Sequence, residues 1–329
     1  MNRIVLDTDP GNGVPGADID DGLAIALAVR SPKVTLEAVT VVAGNVPQAR
    51  GVECALEILE AAGAGHIPVH PGADRPLIQD PTAWRARLDQ RRFDPAAERL
   101  WAGVEPQGSA LRAAATPAVR ALVDLVDASP GEITVVAVGP LTNVAGAILL
   151  DPLWATKVRR LAVMGGAFDV PNLLHELNTA YDPEAAQIVY ASEAPLDVVP
   201  LDVTLQTYLR LGDVDRMEEA GTTLATYLAR TVRPWVAWLA EQFGRDGCPL
   251  HDPLVLAALL DPGLVSYRTA CIGVELRGSL TRGRTVAWDP TDDELLSAGL
   301  DLPATRPARI ATRVDNDRFV ALLLERLCS

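Results

Sequence analysis

Lysine is nearly missing from this chain: Lys33 and Lys157 are the only two among 29 basic residues in a length of 329. Neither follows a glycine-rich turn, so the G-x-x-x-x-G-K loop that cradles nucleotide phosphates is absent and a triphosphatase of that type is excluded. Cysteine is scarce as well. Cys54, Cys248, Cys271 and Cys328 form no C-x-x-C pair, which argues against a zinc centre and for a reduced, cytoplasmic protein. No apolar run approaches the roughly 18 to 20 residues of a membrane helix. The opening Met1-Asn2-Arg3-Ile4-Val5-Leu6-Asp7 places an acid where a secretory leader would stay apolar. Positive charge is short overall, since 43 acidic against 29 basic residues leave a formal net charge of −14. Such a surface repels phosphate backbones, so neither nucleic acid nor a membrane is an expected partner.

What is present is an ordinary globular balance, 49% hydrophobic and 22% charged, enough for one large α/β domain or two smaller ones. No repeat or linker divides the chain, so a single domain over 1–329 is expected. Short aliphatic and β-branched runs at 3–6, 35–42, 133–138, 161–164 and 196–199 predict buried strands. Helical spacing fills 20–30, 47–62, 117–128, 141–150 and 182–192. This alternation predicts an α/β fold with a doubly wound, mostly parallel, Rossmann-like sheet, whose ligands bind beyond the carboxyl ends of the strands. Segment 72–108, rich in Arg, Pro and Trp, predicts a lid or helical insertion. Segment 204–243 reads as helical, with Trp235 and Trp238 sharing a face. Short strands follow residue 264, and a helix closes the chain at 315–327.

Gly11-Asn12-Gly13-Val14-Pro15-Gly16 matches the dinucleotide pattern G-x-G-x-x-G, but its surroundings are electrostatically wrong. Asp7 and Asp9 precede it and Asp18, Asp20 and Asp21 follow it, so five carboxylates would oppose a pyrophosphate. A helix N-terminus favours an anion by only about 0.3 to 2 kcal/mol. The same crowding suits a divalent cation. Hard oxygen ligands without Cys or paired His point to Ca2+ or Mg2+, and several carboxylates joined by a carbonyl favour Ca2+. A phosphatase with an aspartyl nucleophile would also use Asp7-Thr8-Asp9. It would need a cation near the transferred phosphoryl, and both lysines follow helices instead.

Further segments narrow the choice: Val42-Ala43-Gly44-Asn45, Val138-Gly139-Pro140-Leu141-Thr142-Asn143, Val163-Met164-Gly165-Gly166, Glu176-Leu177-Asn178 ahead of Asp182-Pro183-Glu184, and His251-Asp252-Pro253. In this order, after Asp7-Thr8-Asp9-Pro10-Gly11 and Asp20-Asp21, the chain resembles the inosine-uridine-preferring nucleoside hydrolases over nearly its whole length. The resemblance implies a calcium-dependent hydrolase that cleaves the N-glycosidic bond of ribonucleosides to free base and ribose, assembled as a homodimer or homotetramer. It implies metal ligation by Asp9, Asp21, Asp252 and the Val138 carbonyl, with Asp9 also the base toward the attacking water and Asp7 behind the ligands. The ribose hydroxyls would fall to Asp20, Asn45, Asn172, Glu176 and Asn178, with Met164 beneath the sugar. His251 would protonate the departing base. A calcium-dependent ribose- or nucleoside-binding protein without catalysis is the reading from another class.

The chain departs from the family pattern at three places. Residues 12–19 insert a loop ahead of Asp20-Asp21. The base-side His-Gly element is replaced by Phe93-Asp94-Pro95 and the residues through Gly103. The stretch from Pro171 to Glu176, which carries Asn172, is shortened. Trp101, Trp235, Trp238 and Phe243 are the candidate stacking partners for a base.

Overall fold

The computed structural model describes residues 2–104, 107–292 and 305–329. Within them nine strands form one sheet: β1 (Asn2–Thr8), β2 (Val34–Val41), β3 (Val69–Pro71), β4 (Ile133–Ala137), β5 (Arg160–Met164), β6 (Leu196–Val199), β7 (Val265–Val274), β8 (Thr285–Trp288) and β9 (Ala308–Val314). Their order is β3-β2-β1-β4-β5-β6-β9-β7-β8. From β3 through β6 to β9 every pairing is parallel, and only β9-β7 and β7-β8 run antiparallel. The α/β, doubly wound, mostly parallel expectation therefore holds. The three-residue β3 escaped the sequence pattern, being too short to show alternation and ending on a proline.

Alternation along β1 assigns the two faces. Ile4 and Leu6 pack into one core with Leu23, Leu27 and Ile58, while Val5 enters the other with Val135, Leu161 and Val198. Both faces of a parallel sheet are covered by its crossover helices, which is why these strands read as continuous apolar runs. The helix Asp20–Arg30 is buried from Asp20 through Ala28, so its two leading acids have no solvent face.

The chain leaves β1 toward β2 and β3 on one side and later returns through β4 to β5 and β6 on the other. The β1-β4 junction is thus the switch point, where neighbouring connections diverge and open a crevice at the carboxyl ends. Segment 72–108 contains short helices at Thr82–Gln90 and Pro95–Leu100 joined by a single 3-10 turn, Arg91–Phe93. Segment 204–243 resolves into Leu211–Ala220 and the 21-residue Thr223–Phe243, preceded by the turn Leu201–Thr204. Among the described residues no helix is long and apolar enough to cross a membrane, and all four cysteines are free.

Candidate active site

Strand β1 stops at Thr8 and β4 at Ala137, so Asp9 and Val138 emerge side by side into the switch-point crevice. Two glycines make room for the Asp9 carboxylate. A Cβ on Gly44, beyond β2, would stand 2.0 Å from Asp9 Oδ2, and one on Gly139, beyond β4, 2.6 Å from Oδ1. The motifs Gly44-Asn45 and Gly139-Pro140 are thus steric consequences of where Asp9 points.

Two helix starts meet the same crevice. Asp20 and Asp21 open one, and Asp252 opens the other, Asp252–Leu260, with proline in its first turn, where the missing N–H costs nothing. Carboxylate oxygens of Asp20, Asp21 and Asp252, all buried, lie within 4.8 Å of one another. Asp20 Oδ2 accepts from the backbone N–H of His251 at 2.7 Å and of Asp252 at 3.0 Å, tying the two helix starts together. Asp21 Oδ1 accepts from Thr8 Oγ1 at 2.5 Å and Asp9 N at 2.9 Å, and its Oδ2 from Asn45 Nδ2 at 3.0 Å. Asn45 N donates to Asp9 Oδ2 at 2.6 Å. Behind them Asp7 Oδ1 accepts from Thr40 Oγ1 at 2.5 Å and Asn143 Nδ2 at 2.8 Å, and its buried Oδ2 has no partner.

So many acids in a dry place resist ionisation. Burial, then the charge of Asp21, pushes Asp9 well above the ordinary carboxylate range. Burial and the charges of Asp20 and Asp21 do the same to Asp252. Burial raises Asp21 to about 6 and Asp7 to about 7. The two helix N-termini offset part of this repulsion, but a divalent cation fits the donor set far better, being the one partner that lets several hard oxygens stay charged together.

Of these acids, Asp9, Asp20 and Asp252 face a cavity of about 330 Å³, whose lining does not include Asp21 or Asp7. Asp9, Asp20, Asn45, Val138, Met164, Glu176, Asn178, His251 and Asp252 all line it, together with Trp235, Trp238 and Phe243. The two indoles stack at 5.1 Å between centroids, and Phe243 meets Trp238 edge-on at 5.7 Å. Trp101 is elsewhere, 4% exposed in the core. Phe93 is 70% exposed on the surface.

Glu176 is no solvated loop acid. It is buried, caps the helix Leu177–Tyr181, and accepts from the backbone N–H groups of Asn178, Thr179 and Gly166. The Asn178 amide donates to the Val138 carbonyl at 2.7 Å, which leaves that carbonyl its second lone pair. Asn172 does not join the others. It is an exposed residue in the left-handed region, with φ of 60°, and lies outside the cavity lining. Asp9 is not among the three grouped acids, whereas Asp20, expected at the ribose, is one of them.

His251 places Nδ1 2.7 Å from Thr204 Oγ1. Burial lowers its pKa, against the opposing pull of Asp20 and Glu176, so the ring is neutral near pH 7. Sequence reasoning missed this threonine, as well as Asp18, Arg91 and Arg245 in the cavity wall. Asp18 sits in the inserted loop, where a fifth carboxylate was visible but had no motif to place it. Gly16 in that loop, at φ +76°, brings the backbone against Arg91, whose Cβ a side chain at Gly16 would meet at 2.5 Å.

A sequence profile of the inosine-uridine preferring nucleoside hydrolases matches residues 4–321. A probable uridine nucleosidase 2 from Arabidopsis thaliana is 32% identical over 336 aligned positions, covering 99% of this chain and 97% of the relative. The pyrimidine-specific ribonucleoside hydrolase RihA of Enterobacter is 33% identical, covering 98% and 97%. Among solved structures, a purine-preferring ribonucleoside hydrolase from Gardnerella vaginalis superposes with a TM-score of 0.82 at 29% identity, covering 99% of this chain and 98% of the other.

Proposed function

The chain belongs to the inosine-uridine preferring nucleoside hydrolase family, and we propose that it is a calcium-dependent ribohydrolase releasing free base and ribose from ribonucleosides. The observation that carries this reading is the convergence of buried Asp20, Asp21 and Asp252 within 4.8 Å of one another, beside a cavity lined by Asp9, Asp20, Asp252, His251 and an indole pair. Asp9, Asp21, Asp252 and the Val138 carbonyl would hold Ca2+, with Asp20 bracing the His251-Asp252 backbone. When bound, the ion supplies positive charge that keeps these carboxylates ionised and orients water and the ribose 2'- and 3'-hydroxyls.

The remaining chemistry belongs to the side chains. Asp9, fixed between Gly44 and Gly139, accepts the proton of the water that attacks the anomeric carbon. Asn45, Glu176 and Asn178 offer donors and acceptors to the ribose hydroxyls from positions already held by backbone contacts, so little ordering is left for the substrate to bring about. Met164 lies under the sugar. With Thr204 Oγ1 as the donor to His251 Nδ1, 2.7 Å away, the imidazole proton would sit on Nε2, available to the departing base. Trp235 and Trp238 give that base an apolar stacking surface.

A panel of ribonucleosides assayed for reducing sugar tests the proposal. Release of ribose that stops on chelation and returns with Ca2+ is the expected result. Binding of ribonucleosides without any release of ribose would overturn it in favour of a binding protein.

A further inference from the structure

Residues 77–89 reach across the carboxyl ends of the sheet and are pinned on both sides of the switch point. On one side Leu77 N donates to Asp182 Oδ2 at 2.9 Å, and Gln79 Nε2 donates to the carbonyls of Ala180 and Tyr181 at 2.8 and 2.5 Å. On the other, Arg85 Nη1 donates to the Gly44 carbonyl at 2.5 Å and Nη2 to the Asn45 carbonyl at 2.9 Å. Asp89 locks the guanidinium in that pose, accepting from Nε at 3.2 Å and Nη2 at 3.0 Å.

The Gly44 carbonyl and the Asn45 N–H belong to one peptide unit. In a trans peptide they point in opposite directions along one plane, and no described peptide bond is cis. A single plane therefore carries Arg85 on its oxygen and Asp9 Oδ2 on its N–H, the latter at 2.6 Å. The next carbonyl is also held by Arg85, and the intervening Asn45 side chain donates to Asp21 Oδ2. Hydrogen bonds in such a chain polarise one another, so a guanidinium on the carbonyl strengthens the N–H as a donor to the carboxylate.

We propose that Arg85 is a positioning residue for the metal carboxylates. It touches neither metal nor substrate and sets the orientation of Asp9 and Asp21 through Gly44 and Asn45. This rests on the reading of those acids as calcium ligands. Partners one step removed from a metal's own ligands typically change affinity or activity 10- to 100-fold when removed.

The test is calcium titration of metal-stripped protein by calorimetry, with melting in chelator measured in parallel. Arg85→Ala should raise the Kd for Ca2+ about 10- to 100-fold. Arg85→Lys keeps the charge but cannot span two carbonyls, and should fall between Arg85→Ala and wild type. Asp89→Asn loosens the fork while leaving Arg85 in place, and should shift Kd in the same direction by less. Should Arg85→Ala fail to fold, these two variants carry the test. Lower melting in chelator with wild-type Kd in every variant would make Arg85 a stabilising contact only and overturn the inference. A wild type that binds no Ca2+ would overturn the metal reading and this inference with it. Tight binding by wild type and equally tight binding by the variants would overturn this inference alone.

Discussion

Replacing Asp20 with asparagine separates its hydrogen bonds from its charge. The amide oxygen can still accept from the N–H groups of His251 and Asp252, which Asp20 Oδ2 meets at 2.7 and 3.0 Å, though a neutral acceptor is weaker by about 1 kcal/mol. The charge is another matter. Two unit charges 4.8 Å apart, the outer limit of the Asp20-Asp21-Asp252 group, repel by about 3.5 kcal/mol at an effective dielectric near 20. Removing Asp20 relieves two such pairs, and partial protonation has already relieved some of that repulsion. A net gain of about 2 to 4 kcal/mol in metal-free stability at pH 8 is expected. With an unfolding entropy of roughly 2.1 cal/mol/K per residue over 329 residues, that is about 3 to 6 °C in Tm. In Ca2+ the order reverses in effect: the variant binds the ion about 10- to 100-fold more weakly, so its calcium-induced Tm shift is smaller. Scanning calorimetry of both proteins in chelator and in Ca2+ decides the matter. A variant that melts below wild type in chelator at pH 8 would refute the electrostatic argument and leave Asp20 as a helix-joining hydrogen-bond acceptor.

Metal-free stability should also depend on pH with a definite sign. Asp7 holds its proton to about pH 7 in the folded protein but releases it near 3.9 when unfolded, so the folded state binds more protons between these values and stability falls as pH rises through that window. Tm in chelator should drop from pH 5 to 8, and Asp7→Asn should flatten the slope; a flat profile in wild type would contradict this. His251→Ala should lower kcat for ordinary nucleosides by about 10^2 to 10^4 and far less for nitrophenyl riboside, whose leaving group needs no proton. Equal losses on both substrates would assign His251 to positioning Asp252. Ribonucleosides should outpace 2'-deoxyribonucleosides roughly 10^4-fold in kcat/KM, because buried hydroxyl partners would be left unmet; comparable rates for uridine and deoxyuridine would dismiss the ribose contacts.

The sheet was legible because its parallel strands are buried on both faces and so appear as unbroken apolar runs, and the helix at 20–30 was placed to the residue. Residues at strand ends and helix starts were legible for a related reason: Asp9, Asn45, Asp21 and Asp252 sit where a regular element stops, and their short motifs carry the glycines or proline that the stop requires. Irregular backbone was not legible in this way. Asn172 was assigned by alignment through a shortened loop, and the loop turns it outward. Thr204, Arg85 and Arg91 meet spatial neighbours 40 or more positions from them, and no periodicity encodes such a pairing. Trp101 and Trp238 look alike in sequence and share one core, and only packing brings Trp238 and not Trp101 to the cavity wall as well.

Asp20 and His251 are 231 positions apart and yet share a hydrogen bond. A ribosome therefore exposes the acids of the N-terminal motif long before the stretch that will cover them exists. Until then those carboxylates face water, where charge is cheap, and part of their burial waits for the Asp252–Leu260 helix to dock. Contacts of such sequence separation carry a large loop-closure cost, which predicts that this crevice closes late in folding. A cation that stabilises it acts on the finished molecule rather than guiding its assembly, and refolding rates should respond to calcium much less than unfolding rates do.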